Sequence, residues 1–144
     1  MTKKDDFDLM LFLPYLLNQA AEECSVSFQQ HYKDKYNMLR TEWRVLFHLG
    51  YYGDMTAREI CNRSKLHKTK VSRAVASLQK RRFLTREKLP HDRRSEVLKL
   101  SPAGVAAYRD LRESALSYDQ DVTKDFSNPE VDALRQALLK LARL

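Results

Sequence analysis

Apolar residues recur three and four apart along most of the chain, the spacing that lines one face of a helix. After Pro14 they fall at Leu17, Ala20, Ala21, Cys24, Phe28, His31 and Tyr32. This predicts a first helix that starts between Asp8 and Tyr15 and ends near Lys35, with proline in its first turn or at a bend. Thr41 reads as the N-cap of a second helix through His48 that carries Trp43, Leu46 and Phe47, with Gly50 and Gly53 closing it. Thr56 and Glu59 have the spacing of a capping box, opening a third helix over Ala57–Ser64. Val71, Ala74, Val75 and Leu78 form the sharpest stripe and predict a fourth helix over Lys68–Arg82.

The pattern then changes. Leu84–Leu89 and Ser95–Leu100 read as two short strands joined by the turn-like Pro90-His91-Asp92-Arg93-Arg94. Ser101 and Pro102 have the cap-then-proline order of a helix start, and so do Asn128 and Pro129. Tyr108, Leu111, Ala115, Tyr118 and Val122, then Val131, Leu134, Leu138 and Leu141, alternate three and four apart as heptad-like seams. Such seams need a partner, either each other or a second subunit. The expectation is a mainly α chain of about six helices with one small β-hairpin. A helix-turn-helix and hairpin lobe occupies 39–100, and helical arm segments occupy 8–35 and 102–144.

Charge sharpens this picture. From Asn62 to Lys99 there are 13 Lys/Arg and 3 acids, or +10, whereas the whole chain is +7 and its remainder −3. A basic focus on a helix-turn-helix and its hairpin is the footprint of a DNA reader. Lys68, Thr69, Lys70, Ser72 and Arg73 lie off the apolar stripe of the fourth helix, placed for the major groove or its flanking phosphates. Arg86, Lys88, His91, Arg93, Arg94 and Lys99 concentrate charge on the hairpin, and an arginine inserted in a narrow minor groove is its usual occupant. Asp92, two residues before Arg94, is expected to pair with that guanidinium and aim it. The plainer readings are a solvated helical hairpin and a local ion pair worth little.

These residues resemble the MarR family of winged helix-turn-helix regulators over about residues 10–143. The specific matches are Val71-Ser72-Arg73 with Leu78, and the stretch from Asp92-Arg93-Arg94-Ser95 through Leu98-Lys99-Leu100-Ser101-Pro102-Ala103-Gly104. The resemblance implies an obligate homodimer joined through the first, fifth and sixth helices, on a pseudo-palindromic operator. It implies Arg94 in the minor groove with Asp92 orienting it. It also implies repression by promoter occlusion, released by a small aromatic or anionic effector bound between the dimer arm and the DNA-binding lobe. Phe83 departs from the family pattern, since many members have a glycine-containing turn there; a small change in how the hairpin joins the helix is expected.

Other chemistries have less behind them. Trp43 and Phe47, with His31 and Arg86 as polar anchors, are candidates for an effector site, although the aromatics also read as plain core. Cys24 and Cys61, the only cysteines, both fall on apolar helix faces, where a thiol is unreactive. Cys24 is the better candidate for a redox-responsive variant of the same regulator. The basic block is also compatible with a sequence-independent architectural DNA protein, and the helical seams with a protein-interaction module. His31, His48, His67 and His91 show no metal-ligand spacing, and no glycine-rich phosphate loop exists, so no metal, cofactor or enzymatic activity is expected. Lys3 and Lys4 ahead of Leu9–Leu13 loosely mimic a signal peptide, but Asp5, Asp6 and Asp8 break the pattern and no cleavage site follows. A cytoplasmic protein without a membrane span is expected.

Overall fold

A computed structural model describes residues 6–144, with every side chain among them except that of Arg93. Lys3, Lys4 and Asp5 of the segment read above lie outside the described residues. A short 3-10 turn (Leu9–Leu11) precedes α1 (Leu13–Tyr36), and α2 (Arg40–Tyr52), β1 (Met55–Thr56), α3 (Ala57–Ser64) and α4 (Lys68–Lys80) follow. The hairpin is β2 (Leu84–Leu89) and β3 (Asp92–Leu100), after which come α5 (Pro102–Val122) and α6 (Asn128–Ala142). No described helix is long and apolar enough to cross a membrane.

The chain forms two compact units, 1–111 and 112–144. The core of the first is built by α2, α3, α4 and the sheet. Val45, Leu46, Ile60, Val71, Leu78, Leu84, Leu98 and Leu111 are all fully buried there. The α4 stripe Val71, Ala74, Val75 and Leu78 is entirely inside, which fixes the helix's rotation and turns its polar residues outward. The second unit holds the end of α5 and all of α6, with an Arg135–Asp119 ion pair at 2.6 Å between them. Leu134, Leu138 and Leu141 of its seam are exposed.

Several expected boundaries move, each for a local reason. Thr41 is inside α2 rather than its cap. Leu39 is the N-cap, and Glu42 reaches back to accept its N–H at 3.1 Å. Gly50 also lies inside α2; it does not end the helix, but a Cβ there would collide with the ring of Tyr108, so glycine permits a close approach. Gly53, at φ 91°, is the residue that terminates the helix. The α6 cap is Ser127, one residue before Asn128, and it forms a reciprocal capping box with Glu130. That box holds the Glu130 carboxyl below its ordinary range, first through the Ser127 backbone N–H.

The five-residue turn shortens to Pro90 and His91, because Asp92, Arg93 and Arg94 continue as strand. Backbone pairing tolerates their polarity where the strand is solvated. A third strand, β1, pairs with β3 through Met55↔Leu98 and Thr56↔Val97, giving the order β1-β3-β2. Two residues are too few to read from a period. At Phe83 the adjustment is made by Arg82, which takes φ 63° where glycine is the easier residue.

Candidate nucleic-acid interface

Thr56 ends β1 and caps α3, its Oγ1 accepting the Glu59 N–H at 3.2 Å. Lys65 then turns the chain at φ 61°, and His67 caps α4 by accepting the Thr69 N–H on Nδ1 at 3.2 Å. Arg44 of α2 braces this turn, donating to the Ser64 carbonyl at 2.6 Å. Burial, then the nearby Arg40 charge, pull the Arg44 guanidinium below its ordinary value. The outward face of α4 presents Lys68, Thr69, Lys70, Ser72 and Arg73, all exposed.

A buried carboxylate seats the other end of α4. Glu42 is only 4% exposed, and its Oε2 accepts the Ser77 hydroxyl at 2.8 Å and lies 3.7 Å from Arg81. Arg81 also donates to the carbonyls of Tyr36 and Asn37. Tyr36 in turn donates its hydroxyl to Asp110 at 2.7 Å, and Lys35 pairs with the same carboxylate at 3.1 Å. Burial first, then that hydrogen bond and charge, push the Tyr36 phenol up to about 12. The Tyr36 and Lys35 donors hold Asp110 below its ordinary value.

The wing is held at its base by buried Leu84 and Leu98. Asp92 and Arg94 are exposed near its tip, but their relationship is not the expected ion pair. Asp92 Oδ1 accepts the backbone N–H of Arg94 at 3.0 Å, and Oδ2 accepts the Ser95 hydroxyl at 3.1 Å. At this spacing the carboxylate meets the main chain before the guanidinium, so it fixes the turn and not the side chain. Arg86 pairs with Glu96 across the strands at 3.5 Å. The side chain of Arg93 lies outside the described residues.

Ser72, Arg86 and Arg94 come together around a cleft of about 430 Å³ between α4 and the wing, which Arg58 of α3 also lines. Arg58, Glu42 and Arg81 were not among the expected site residues. A cation in the first turn of α3, at the positive end of its dipole, is the one sequence signal that marks Arg58.

The expected effector residues divide. Trp43 stacks on Tyr32 at 5.5 Å, touches Phe28 and Phe47 at 5.2 and 4.9 Å, and Phe47 meets Tyr108 at 5.2 Å. His31 joins this cluster through Phe28 at 5.2 Å. Arg86, on the wing cleft, is in a different group. The Trp43 Nε1 is buried with no hydrogen-bond partner among the described residues. Cys61 is half-buried, as its apolar face predicts, whereas Cys24 is exposed.

The MarR family model matches residues 36–95, from the end of α1 to the wing. A search of curated proteins gave no match. Among solved structures, a probable transcriptional regulator from Pseudomonas aeruginosa is 25% identical over 93% of this chain and 99% of its own, with a TM-score of 0.81. A mutant MarR from E. coli in complex with operator DNA is 19% identical, covering 96% and 99%, at a TM-score of 0.83. BpsR of Bordetella bronchiseptica, whose DNA binding is regulated by 6-hydroxynicotinic acid, is 22% identical, covering 90% and 98%, at 0.82.

Proposed function

We propose that the chain is a winged helix-turn-helix transcription regulator of the MarR family, acting as a sequence-specific, homodimeric repressor released by a small aromatic or anionic ligand. In this reading Lys68, Thr69, Lys70, Ser72 and Arg73 face the major groove and its phosphates. Arg93 and Arg94 face the minor groove, with Asp92 shaping the turn that presents them and Arg86 behind.

One observation carries the DNA interface. The first turn of α4 contains Lys68 and Lys70 and no acid, although a helix N-terminus favours acids by about 0.3–1 kcal/mol each. A polyanion at that terminus offsets the local cost. Selection of bound genomic fragments, followed by titration at fixed salt, tests the reading. An operator is expected to bind roughly 10³-fold or more above random duplex. Enrichment of no sequence would leave a sequence-independent architectural protein, and no DNA binding at all would leave a protein-interaction module.

Dimerisation is supported by the apolar residues left exposed at Leu11, Leu13 and Leu16 and along α6 at Leu134, Leu138 and Leu141. In this reading 8–35 and 102–144 supply the subunit interface and 39–100 the DNA-binding lobe. Light scattering of the full chain is expected to give twice the 16.9 kDa chain mass.

Ligand release is supported by the aromatic cluster, in which His31 lies against Phe28, and by the buried Trp43 Nε1, which has no hydrogen-bond partner among the described residues. BpsR supplies the chemical precedent, an aromatic acid. Trp43 is the chain's only tryptophan and reports directly on its surroundings. Aromatic acids are expected to change its fluorescence and to weaken operator binding together. Redox control through the exposed Cys24 is the second reading: a Cys24→Ser variant that no longer releases DNA on oxidation would favour it.

A further inference from the structure

Four helices are tied together around one guanidinium at the end of α4. Arg81 donates to the carbonyls of Tyr36 and Asn37, where α1 ends, and lies 3.7 Å from the buried Glu42 carboxylate of α2. Carbonyls at a helix end lack intrahelical donors and sit at the negative end of its dipole, so they favour a cation. Tyr36 extends the group to α5 by donating its hydroxyl to Asp110 at 2.7 Å. The ring of Phe83 completes it, with its centre 5.2 Å from the Arg81 guanidinium and 6.1 Å from the Tyr36 ring, which it meets edge to face. Phe83 is itself held, because its N–H donates to the Leu78 carbonyl at 2.9 Å and its carbonyl accepts the Ser101 N–H at 3.0 Å. It stands where the family pattern has a glycine-containing turn, and a glycine would offer the guanidinium no ring. Arg82, at φ 63°, makes the turn that brings the ring there. All of these residues belong to the first unit.

We infer that Arg81 and Phe83 are positioning residues for DNA binding: they latch α4 at one tilt against α1, and so set the half-site spacing that the dimer accepts. The inference rests on the homodimeric, operator-binding reading proposed above. The apolar stripe fixes which face of α4 is turned outward, but apolar contact is non-directional and tolerates a small tilt. Hydrogen bonds from a guanidinium fork are directional and do not. With 13 residues α4 is about 20 Å long, so a tilt of about 10° pivoting at Arg81 moves Lys68 by about 3 Å. That displacement is about one base-pair step of the duplex. In the homodimeric reading α1 belongs to the arm that joins the protomers, so an α4 held to α1 is held at a set distance from its counterpart. Arg81 does this without meeting a phosphate, since its side chain is only 30% exposed and is engaged with two carbonyls and a carboxylate.

Two measurements on the full chain test this. Arg81→Lys keeps the charge and loses the fork, and Phe83→Leu keeps an apolar side chain and loses the ring. In the first measurement, residual dipolar couplings of the DNA-free protein report the angle between α1 and α4. Both variants are expected to change that angle, or to scale down the α4 couplings relative to those of α1, while α4 still fits a regular helix. That fit also shows that the variants are folded. In the second, binding is titrated at fixed salt against the selected operator, the same operator with one base pair inserted at its centre, and a random duplex. Wild type is expected to prefer the intact operator to the inserted one. Both variants are expected to bind the intact operator about tenfold more weakly, to lose less on insertion, and to bind random duplex as wild type does. Unchanged couplings in both variants would overturn the latch, whether or not the chain binds DNA. Changed couplings with an unchanged penalty for insertion would overturn its role in spacing. Equal losses on operator and random duplex would make Arg81 a phosphate contact and overturn that role too. Changed couplings in a chain that selects no operator would sustain the latch and defeat the operator-binding reading.

Discussion

The Glu42 carboxylate, almost wholly buried, accepts the Ser77 hydroxyl at 2.8 Å and so joins the start of α2 to the last turns of α4. Its other oxygen accepts the Leu39 N–H, so one side chain serves both a helix cap and an interhelix contact. Glu42→Ala removes the acceptor of the Leu39 N–H and the Ser77 hydroxyl, while Arg81 keeps its carbonyl acceptors, and is expected to cost about 1–3 kcal/mol in urea unfolding. Ser77→Ala is expected to cost about 1 kcal/mol. A double-mutant cycle with additive losses would show that the two residues do not act as a pair.

Asp92 holds the wing turn through the Arg94 main chain, which separates its shape from its charge. Asp92→Asn keeps an acceptor and removes a repulsive charge, so DNA affinity is expected to hold or rise. Asp92→Ala loses the turn and is expected to bind more weakly, despite the same charge change. Competition titrations of both variants against wild type decide the matter; tighter binding by Asp92→Ala would end the turn-holding role.

Tyr36 and Asp110 give stability opposite dependences at the two ends of the pH scale. The Tyr36 phenol, raised from 10.0 to about 12, contributes stability that is intact below pH 10 and lost between pH 10 and 12, as the unfolded chain ionises first. Asp110 is lowered from 3.8, so its contribution is intact above about that pH and lost as pH falls further. Tyr36→Phe removes the phenol's titration and the hydrogen bond that most lowers Asp110. It is expected to flatten both limbs of a stability–pH curve measured by urea unfolding.

Gly104 lies where α5 starts, and a Cβ there would fall on the Phe83 carbonyl oxygen, which already accepts the Ser101 N–H at 3.0 Å. Backbone cannot retreat as a flexible side chain does. Gly104→Ala is expected to destabilise the first unit by about 1–3 kcal/mol in thermal or urea unfolding, despite its better helix propensity.

What was legible in the chain was local. Thr56 with Glu59, Ser101 before Pro102, and the Val71–Leu78 stripe each carry their meaning within a few residues, and the helix-turn-helix follows from them. The basic block was equally legible, because charge needs no geometry to be counted. Nothing near Glu42 in the sequence marks its role, since its partners Ser77 and Arg81 are far along the chain. Gly50 reads as a helix terminator because its reason for being glycine is Tyr108, which lies far along the chain. Arg86 was assigned both to the wing and to the aromatic group, and only packing separates them.

The pairing of Met55 with Leu98 also makes a kinetic statement. A hairpin such as β2–β3 closes locally, within microseconds. Adding β1 encloses α3 and α4 in a loop that shuts only when residues 55 and 98 meet. The helix-turn-helix is thus cinched by the hairpin that follows it, and the amide protons at that knot belong with the slowest to exchange, while those of the tip around Pro90 and His91 open alone.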